Sequence, residues 1–423
     1  MDQAIAVLDI GKTRSKLSLW APDGRRLAGR DYLNASSADD PSQLDVAGFE
    51  AWLKGALAEL ARRAEIAAIV PVGHGAAAVL MDGDAPISAP DYEAEPPADV
   101  AAAYEALRDP FEATLSPRLP GGLNLGVQLF WLERLYPELW PRGGAALLWP
   151  QYWAWVLSGE RASEVTSLGC HSDLWRPLER RFSDLAIGRG WAERLGPLRH
   201  AADVLGPVRP ALAAELGLPR DCRVHCGVHD SNAALYAARG LPELAVGPFS
   251  VVSTGTWVIS MAVGGDGPAA YDPAEDMLAN VDVDGRPVPT ARFMGGRDYE
   301  TWMGEALGEA GDPELLFWAE GVTDRTALPP RLRAAWAALA LARRTDRALG
   351  LIAAAGPILI EGRFAADDAF CAALAAVRPG QRVYRSAVAD GVAIGALRLA
   401  APDWAPAGAL QPIQPGELPA PSA

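Results

Sequence analysis

Residues 5–20, which read IAVLDIGKTRSKLSLW, decide the fold of this chain. Apolar residues on both sides of Asp9-Ile10-Gly11-Lys12-Thr13 predict a strand, a tight glycine turn and a second strand. A glycine turn lets backbone N–H groups converge on an anion, and neighbouring hydroxyl or ammonium groups add further donors. The stretch therefore predicts a phosphate-binding turn.

The same device occurs a second time in residues 249–261, around Ser253-Thr254-Gly255-Thr256. Two phosphate-type turns in one chain can hold a polyphosphate from opposite sides. This repeat predicts a nucleotide clamped between two domains.

Lysine is scarce in this chain, which draws attention to the first turn. Among the 38 Lys and Arg residues only Lys12, Lys16 and Lys54 are lysine, and two of these three lie in the first turn. A compact ammonium group beside a phosphate is one interpretation, and an ordinary solvated hairpin residue is the other.

Composition excludes several classes of function. A chain of 423 residues, half of them hydrophobic, can bury a large core and is expected to form two or three domains. A formal charge of -15 argues against nonspecific binding to nucleic acid or to an anionic membrane, since both favour a basic surface.

Cysteine usage and the N-terminus predict a cytoplasmic protein. Four cysteines in a chain of this length do not form a disulfide framework, which favours a reducing compartment. The N-terminus runs almost directly into the first strand, so we expect no signal peptide, and no apolar stretch is long enough to predict a membrane span.

The order of predicted elements indicates an α/β protein built twice on one plan. A three-stranded meander, a helix at 46–64 and a buried strand at 67–72 open the first half, and that strand ends at Gly73-His74-Gly75. An aromatic helical region at 127–157, whose aromatic residues we expect mainly in the core, precedes a strand near 224–228. A second meander follows, with strands at 249–253, 257–263 and 276–283. We predict domains at 1–240 and 241–423, with a Pro- and Ala-rich, poorly ordered tail from about residue 402.

Gly11-Lys12-Thr13 looks like the end of a Walker A loop, but that motif requires glycine where Ala6 stands and a loop where residues 7–10 predict a strand. A P-loop is therefore not expected. A strand-turn-strand with an aspartate in the turn instead resembles the first phosphate motif of the actin-like ATPase fold.

Four motifs together resemble the FGGY carbohydrate kinases in order and spacing, over nearly the whole chain. They are Asp9-Ile10-Gly11-Lys12-Thr13-Arg14-Ser15-Lys16, Gly227-Val228-His229-Asp230, Ser253-Thr254-Gly255-Thr256-Trp257 and Asp390-Gly391-Val392-Ala393-Ile394-Gly395-Ala396. The His-Asp pair and Gly-Thr-Trp are most similar to the branch of L-rhamnulose and L-fuculose kinases. The resemblance implies two actin-like (ribonuclease H-like) domains with an interdomain cleft.

Asp230 matches the catalytic base of that family. A carboxylate at the end of a strand and the start of a helix can accept the proton of a sugar hydroxyl as it attacks the γ-phosphate. The local pattern alone favours a helix cap, and the resemblance favours the base. Asp9 either closes an Asx turn or, as the resemblance implies, holds Mg²⁺ near the phosphates together with Asp230.

The resemblance also implies which residues bind the nucleotide. Phosphate contacts are expected from both turns and nucleotide contacts from the segment after a later strand, where the glycine-rich run of the family is reduced to one glycine. These residues are Gly11, Lys12, Thr13, Lys16, Thr254, Gly255, Thr256, Gly362 and Arg363.

The sugar is expected to contact His74, Gln128 and Asp230, from segments that border the sugar in relatives. For His74 and Gln128 a satisfied polar group at a helix end is an equally good interpretation. Asp91-Tyr92-Glu93 replaces the Trp-x-Asp-x-Arg pattern of the family, which predicts a changed sugar pocket.

Together, these observations and the resemblance predict an ATP- and Mg²⁺-dependent sugar kinase, a phosphotransferase with an alcohol group as acceptor, acting on a ketose or deoxyketose such as L-rhamnulose or L-fuculose. The expected partners are a sugar and ATP. The oligomeric state is left open, and a homodimer is one alternative. The alternatives are a nucleotide-gated actin-like ATPase without sugar kinase activity and a metal-dependent phosphohydrolase using His229 and Asp230.

Overall fold

The structure is a computed structural model and describes residues 3–320, 322, 328–386, 390–402, 404 and 410–418. It is mixed α/β and divides into two compact units. The first comprises Met1–Ala238, Ala279–Pro287 and Asp390–Pro406, and the second comprises Arg239–Leu278, Val288–Ala389 and Ala407–Ala423. Two segments from beyond residue 240 thus belong with the first unit, and the domain division at 240 and 241 stays a prediction.

Elements of the first 240 residues form one large sheet, several small sheets and surrounding helices. The strands are β1 (Gln3–Ile10), β2 (Arg14–Trp20), β3 (Arg26–Leu33), β4 (Glu65–Gly73), β5 (Ala78–Asp82), β6 (Ala85–Ser88), β7 (Ala145–Leu148), β8 (Ser163–Glu164), β9 (Trp175–Arg176), β10 (Arg181–Phe182), β11 (Leu198–Arg199), β12 (Val204–Pro207), β13 (Arg223–His225) and β14 (Val228–His229). The helices are α1 (Val46–Ala61), α2 (Ala98–Glu105), α3 (Phe111–Thr114), α4 (Leu125–Leu135), α5 (Trp149–Ser158), α6 (Val165–Leu168), α7 (Asp184–Gly188), α8 (Trp191–Arg194), α9 (Pro210–Leu216) and α10 (Asp230–Arg239).

Later elements repeat this composition. The strands are β15 (Phe249–Thr254), β16 (Val258–Val263), β17 (Met277–Val281), β18 (Pro287–Phe293), β19 (Ile358–Gly362), β20 (Val383–Ser386) and β21 (Leu410–Pro412). The α-helices are α11 (Gly295–Met303), α12 (Leu316–Ala319), α13 (Pro330–Leu351), α14 (Asp368–Val377) and α15 (Gly391–Ala400). Short 3₁₀ helices span Pro273–Glu275, Gly304–Ala306, Pro313–Leu315 and Arg363–Ala366.

The large sheet of the first unit has the order β12-β13-β4-β1-β2-β3, and β14 also pairs with β4. Strands β1, β2 and β3 form the antiparallel meander, while β4 runs parallel to β1. The register places Ile10, Gly73 and His229 side by side at the carboxyl ends of three parallel strands. That edge is where α/β sheets gather ligands, and the first glycine turn and Asp230 follow it directly.

The second large sheet has the order β17-β18-β16-β15-β19-β20-β21. Strand β15 pairs antiparallel with β16 and parallel with β19, as β1 does with β2 and β4. Thr254 therefore holds the place in its sheet that Ile10 holds in the first. The predicted repetition of the plan is confirmed in these strands.

Aromatic residues on α5 belong mainly to the core of the first unit, as the sequence favoured. Trp153 is fully buried and its ring lies 4.6 Å from that of Phe49. Burying a side chain of this size stabilises the fold by roughly 2–3 kcal/mol. Trp149, at the start of the same helix, instead lines a cavity that also contains His74.

Three expectations about elements are wrong. Residues 127–157 were expected to be helical throughout, but β7 lies between α4 and α5, because four buried apolar residues fit a strand or a helix equally well. The strand expected near 224–228 is broken at Gly227, whose φ of 89° ends one strand before the next begins.

The third concerns the tail from about residue 402. Strand β21 pairs antiparallel with β20, so residues 410–412 are ordered by backbone hydrogen bonds. Residues 403, 405–409 and 419–423 of the predicted tail lie outside the described residues. Among the described residues, no helix combines the length and the apolar character needed to cross a membrane.

Candidate active site

The first glycine turn is held open by Asn34, which directly follows β3. Its Nδ2 donates to the carbonyl oxygens of Gly11, at 2.6 Å, and Lys12, at 3.3 Å, and its own N–H donates to Thr13 O. The carbonyl groups of Gly11, Lys12 and Thr13 are therefore all bound by Asn34. The N–H groups of residues 11–13 have no hydrogen-bond acceptor within the described ranges.

The ammonium group of Lys12 is engaged by three consecutive residues. It binds Asp91 Oδ2, lies 3.4 Å from Glu93 Oε2 and sits 5.2 Å from the centre of the Tyr92 ring. Asp91 is buried and Glu93 is exposed. The structure thus joins Lys12 to the segment that departs from the family pattern, 79 residues away in sequence.

Asp9 lies two residues before Gly11 on β1, and Lys16, Asp230 and Asp390 all contribute to the electrostatic environment of its carboxyl group. Burial is the main effect that raises its pKa to about 7, and the neighbouring charge of Asp230 raises it further. Lys16 Nζ, at 4.0 Å, opposes this effect, while Asp390 adds to it. The smaller part of the shift, due to Asp230 and Asp390, is a charge effect that a cation beside these carboxylates would oppose.

Asp230 begins α10, and each of its recorded contacts is made through one oxygen. Oδ1 accepts from the Ser231 N–H at 2.6 Å, lies 3.3 Å from Ser231 Oγ and lies 3.3 Å from His229 Nε2. Oδ2 has no hydrogen-bond partner among the residues that the structure describes. A helix cap would accept from an N–H two or three residues onward, so this geometry does not fit the capping interpretation.

His74 is buried in the wall of a cavity of about 200 Å³ in the first unit. Its Nδ1 donates to Gly75 O at 2.8 Å, and burial lowers the pKa of the imidazole. The ring is therefore neutral near pH 7, with Nε2 as an acceptor. Polar and charged groups share this wall with the rings of Trp149 and Tyr32; they are Lys12, Thr13, Asn34, Ser36, Asp45, Asp91 and Glu93.

Gln128 is placed differently from the other predicted substrate residues. Its Nε2 donates to the carbonyl oxygens of Ala76 and Gly122, each at 2.6 Å. Gly122 in turn donates its N–H to Tyr92 O. The amide of Gln128 therefore orders the loop beside the cavity, and its buried Oε1 lacks a hydrogen-bond partner among the described residues.

In the second unit the glycine turn after β15 is built around Thr254. Its hydroxyl donates to Glu361 O at 2.5 Å and accepts from the Phe364 N–H at 2.9 Å. Gly362 lies opposite Thr254, has a φ of 79°, and a Cβ there would lie 2.1 Å from Thr254 O. Only glycine fits where the backbones of β15 and β19 approach this closely. This close approach explains why the chain keeps Gly362 from the glycine-rich run of the family.

Two further residues that were predicted to bind the nucleotide, Gly255 and Arg363, lie beside open space or on the surface. A Cβ at Gly255 would have no atom within 4 Å, so the turn presents open space at this point. Arg363 Nη1 donates to Glu300 Oε1 at 2.6 Å on the surface. Burial raises the pKa of Glu361, beside them on β19, to about 7.

Sequence reasoning missed several residues that shape these turns. Asn34 had only its place after a strand as a signal, and Asp390 was read as part of a motif without a role. The pair Gly295 and Gly296 also went unassigned: a Cβ at Gly296 would lie 2.1 Å from Gly255 O, so α11 starts against the second turn. Adjacent glycines before a helix were the available signal.

The first unit also has groups that suit Mg²⁺. No cluster of three or more His, Cys, Asp or Glu within the described residues forms a self-contained metal site. Mg²⁺, however, usually takes one or two carboxylates, phosphate oxygens and water. Besides burial, the charges of Asp230 and Asp390 raise the pKa of Asp9, and a divalent cation beside these carboxylates would oppose that charge effect.

Comparison with known proteins gives matches over the whole chain. The sequence model described as "Carbohydrate kinase FGGY, C-terminal domain" matches residues 246–315 and 317–408. The structure is similar to that of a carbohydrate kinase from Novosphingobium aromaticivorans, with 41% sequence identity, coverage of 97% of this chain and 96% of that chain, and a TM-score of 0.90.

Other relatives are more distant. An L-fuculokinase from Escherichia coli (strain K12) is 32% identical over 140 residues, which is 33% of this chain and 28% of the length of that protein. A xylulose kinase from Rhodospirillum rubrum, 19% identical, shares the fold with a TM-score of 0.76 over 97% of this chain and 94% of its own. The predicted class, α/β with actin-like domains, is confirmed.

Proposed function

Because this chain belongs to the FGGY family of carbohydrate kinases, we propose that it transfers the γ-phosphate of ATP to a hydroxyl group of a sugar. Asp230 is the catalytic base in this proposal. The observation that carries it is the one-sided environment of the carboxylate: Oδ1 is fixed by Ser231 and lies against His229, while Oδ2 has no partner within the described ranges. Oδ2 is therefore the oxygen that accepts the hydroxyl proton.

The phosphates are proposed to bind the glycine turns. Support comes from the N–H groups of residues 11–13, which have no acceptor in the described part of the chain, and from the open space at Gly255. Thr13, Lys16 and Thr256 add side chains at these turns. Thr254 and Gly362 contribute mainly by fixing the backbone, because the Thr254 hydroxyl is already bonded to Glu361 O and Phe364 N.

Asp9 and Asp230 are the proposed Mg²⁺ residues, with Asp390 close enough to raise the pKa of Asp9. A bound divalent cation would neutralise charge that develops on the transferring phosphoryl group. Asp9 would hold it from β1, and Lys16, 4.0 Å from Asp9, would balance the remaining negative charge.

We propose a ketose or deoxyketose such as L-fuculose or L-rhamnulose as the substrate class. The similarity to L-fuculokinase supports it, over 28% of the length of that protein. In the first unit, His74 Nε2 offers an acceptor, while Asp91, Glu93 and Lys12 offer charged groups to hydroxyls. Gln128 contributes through the loop it orders. The proposed location is the cytoplasm, where ATP is available.

A coupled ADP-release assay with Mg²⁺-ATP and a panel of ketoses, aldoses and polyols tests the proposal. One or more sugars should raise ADP release, and Asp230→Asn should lower kcat by about 10²- to 10⁴-fold because general-base catalysis is lost. Asp184→Asn is the matched control, since Asp184 also begins a helix but pairs with Arg176 and Arg181 on the surface.

The outcomes separate the two candidate functions. Sugar-dependent turnover that survives in Asp230→Asn would refute the assignment of the base. ATP hydrolysis that no sugar stimulates, and that Asp230→Asn leaves intact, would favour a nucleotide-gated actin-like ATPase.

A further inference from the structure

His229 is buried directly before Asp230, and its imidazole ring is in contact through both nitrogen atoms. Nδ1 lies 3.2 Å from Asn232 Nδ2, while Nε2 lies 3.4 Å from Cys170 Sγ and 3.3 Å from Asp230 Oδ1. The backbone N–H of His229 donates to Thr166 Oγ1 at 3.0 Å. Ring and backbone are thus both fixed beside the proposed base.

The contact with Asp230 shows that Nε2 carries a hydrogen. Because a carboxylate oxygen can only accept, Nε2 bears an N–H and directs it at the carboxylate of Asp230, with the sulfur of Cys170 beside it. Gly75 lies directly against the ring, since a Cβ at this position would lie 2.8 Å from Nε2. A larger residue at 75 would displace the ring.

Cys170 is itself held by a rigid loop. The next residue, His171, donates from Nδ1 to Leu123 O at 2.8 Å, and Asp173 accepts from Tyr104 at 2.8 Å and from Arg108 at 2.9 Å. His171 and Asp173 both have positive φ, 40° and 66°, a conformation that such residues adopt only when their surroundings enforce it. The loop therefore fixes the sulfur against the imidazole.

We infer that His229 is a positioning residue: its ring, fixed by Asn232 and Cys170, orients the Asp230 carboxylate through Oδ1 and leaves Oδ2 for the acceptor hydroxyl. This inference rests on the proposed function. Ser231 also binds Oδ1, but it lies on the exposed side, whereas His229 is the buried group that prevents the carboxylate from rotating. Orientation of this kind acts on turnover more than on binding.

The test compares His229→Leu with His229→Gln. Leucine fills the space without a donor, whereas the amide N–H of glutamine reaches the place of Nε2. We expect His229→Leu to lower kcat by about 10- to 100-fold with both KM values within about twofold, and His229→Gln to recover most of kcat. Cys170→Ala, which removes only the support of the ring, should cost about threefold to tenfold.

His225→Leu is the matched control. His225 is also a buried histidine, four residues earlier, and its Nδ1 donates to Ala202 O at 2.9 Å. Its loss should lower the thermal midpoint without changing kcat per folded molecule. A kcat of His229→Leu equal to that of wild type, or no difference between the glutamine and leucine variants, would overturn the inference.

Crystal structures of the two His229 variants separate this inference from the proposed function. Absence of sugar-dependent turnover in wild type would refute the function alone. The position of the Asp230 carboxylate then decides: a displaced carboxylate in His229→Leu that returns in His229→Gln supports positioning, and an unchanged one in both refutes it. His229→Gln keeps the polar contacts, so it serves even where the leucine variant does not fold.

Discussion

The two glycine turns occupy equivalent places in two sheets of the same strand order, yet they differ in chemistry. Asp9, two residues before Gly11, carries a carboxyl group among other carboxyl groups. Ser253 holds the same place before Gly255. The first turn is surrounded by Lys12, Lys16 and acids, whereas the second is fixed by the neutral hydroxyl of Thr254.

This difference shows that equivalent turns in a repeated fold can have different chemical roles. Strand order places both turns at the carboxyl end of an inner strand, where N–H groups can face a ligand. Side chains then decide the chemistry. Acid and base groups gather at the first turn, and the second relies on backbone geometry and hydroxyl groups. Each prediction below changes one turn and compares it with the other.

The largest expected effect is on activity, from loss of the Asp9 carboxyl group at the first turn. Asp9→Asn should lower kcat/KM by about 10²- to 10³-fold, because it removes the proposed Mg²⁺ carboxylate. Ser253→Ala, at the equivalent place, should change it by less than about threefold. Steady-state kinetics at saturating Mg²⁺ measure kcat/KM of both variants. Equal losses at the two positions would contradict the proposed difference in role between the turns.

Backbone fit is expected to distinguish the glycines of the two units. Gly362→Ala should destabilise the protein by about 2–4 kcal/mol, because the residue has a positive φ and its Cβ would meet Thr254 O. Gly11→Ala should cost less, since the nearest atom is Arg14 O at 2.6 Å.

Gly255→Ala is the control for these two glycine variants. It should stay within about 0.5 kcal/mol of wild type, because its Cβ points into open space. It should nevertheless raise the KM for ATP if phosphate approaches there. Urea unfolding measures stability, and an equally large loss at Gly255 would refute the argument from space.

Both units contain a buried acid whose pKa is about 7, and stability should depend on pH accordingly. Asp9 and Glu361 hold a proton in the folded chain at pH values where the unfolded chain has lost it. Unfolding therefore releases protons, and stability falls as pH rises from about 4 to about 7, by on the order of 2 kcal/mol for each acid.

Single variants should reduce this slope separately. Asp9→Asn and Glu361→Gln each remove one part, while Asp230→Asn should reduce only the part due to Asp9, because burial alone raises the pKa of Glu361. Thermal midpoints between pH 5 and 8 measure the slope. A slope unchanged in both Asp9→Asn and Glu361→Gln would show that these acids do not cause it.

The smallest effect is expected from Thr254→Val, which keeps shape and removes a hydroxyl. Losing the bonds to Glu361 O and Phe364 N should cost about 1–2 kcal/mol. Thr13→Val in the first turn should cost less than about 0.5 kcal/mol but raise the KM for ATP. The reverse ranking in thermal unfolding and kinetics would exchange the roles of the two turns.

Local patterns in the sequence were sufficient to predict the first meander, the first two strands of the second, the strand that ends at His74 and the start of a helix near Asp230. The place predicted for the third strand of the second meander was wrong, because β18 and not β17 pairs with β16. Alternation of apolar residues and the position of glycines specify such elements directly. Strand β7 was missed because short buried runs have no distinguishing period.

Contacts between distant residues were beyond the reach of these patterns. The pairing of Lys12 with Asp91, and the use of the Gln128 amide by backbone carbonyls, depend on loops whose conformation no local pattern encodes. The residue type of Asp230 favoured a helix cap. Only the observed contacts of its Oδ1 argue against that interpretation.

Helix α15, near the end of the described chain, is part of the first unit, where Gly395 packs against the backbone of Ala233 on α10. Asp390, which caps this helix, contributes to the electrostatic environment of Asp9 on β1. During synthesis, therefore, a ribosome that has released the first 380 residues has made every strand of the first large sheet but not a finished acidic centre. The charge of Asp390 acts on Asp9 only after α15 has docked, so a nascent chain truncated before α15 lacks this part of the electrostatic environment.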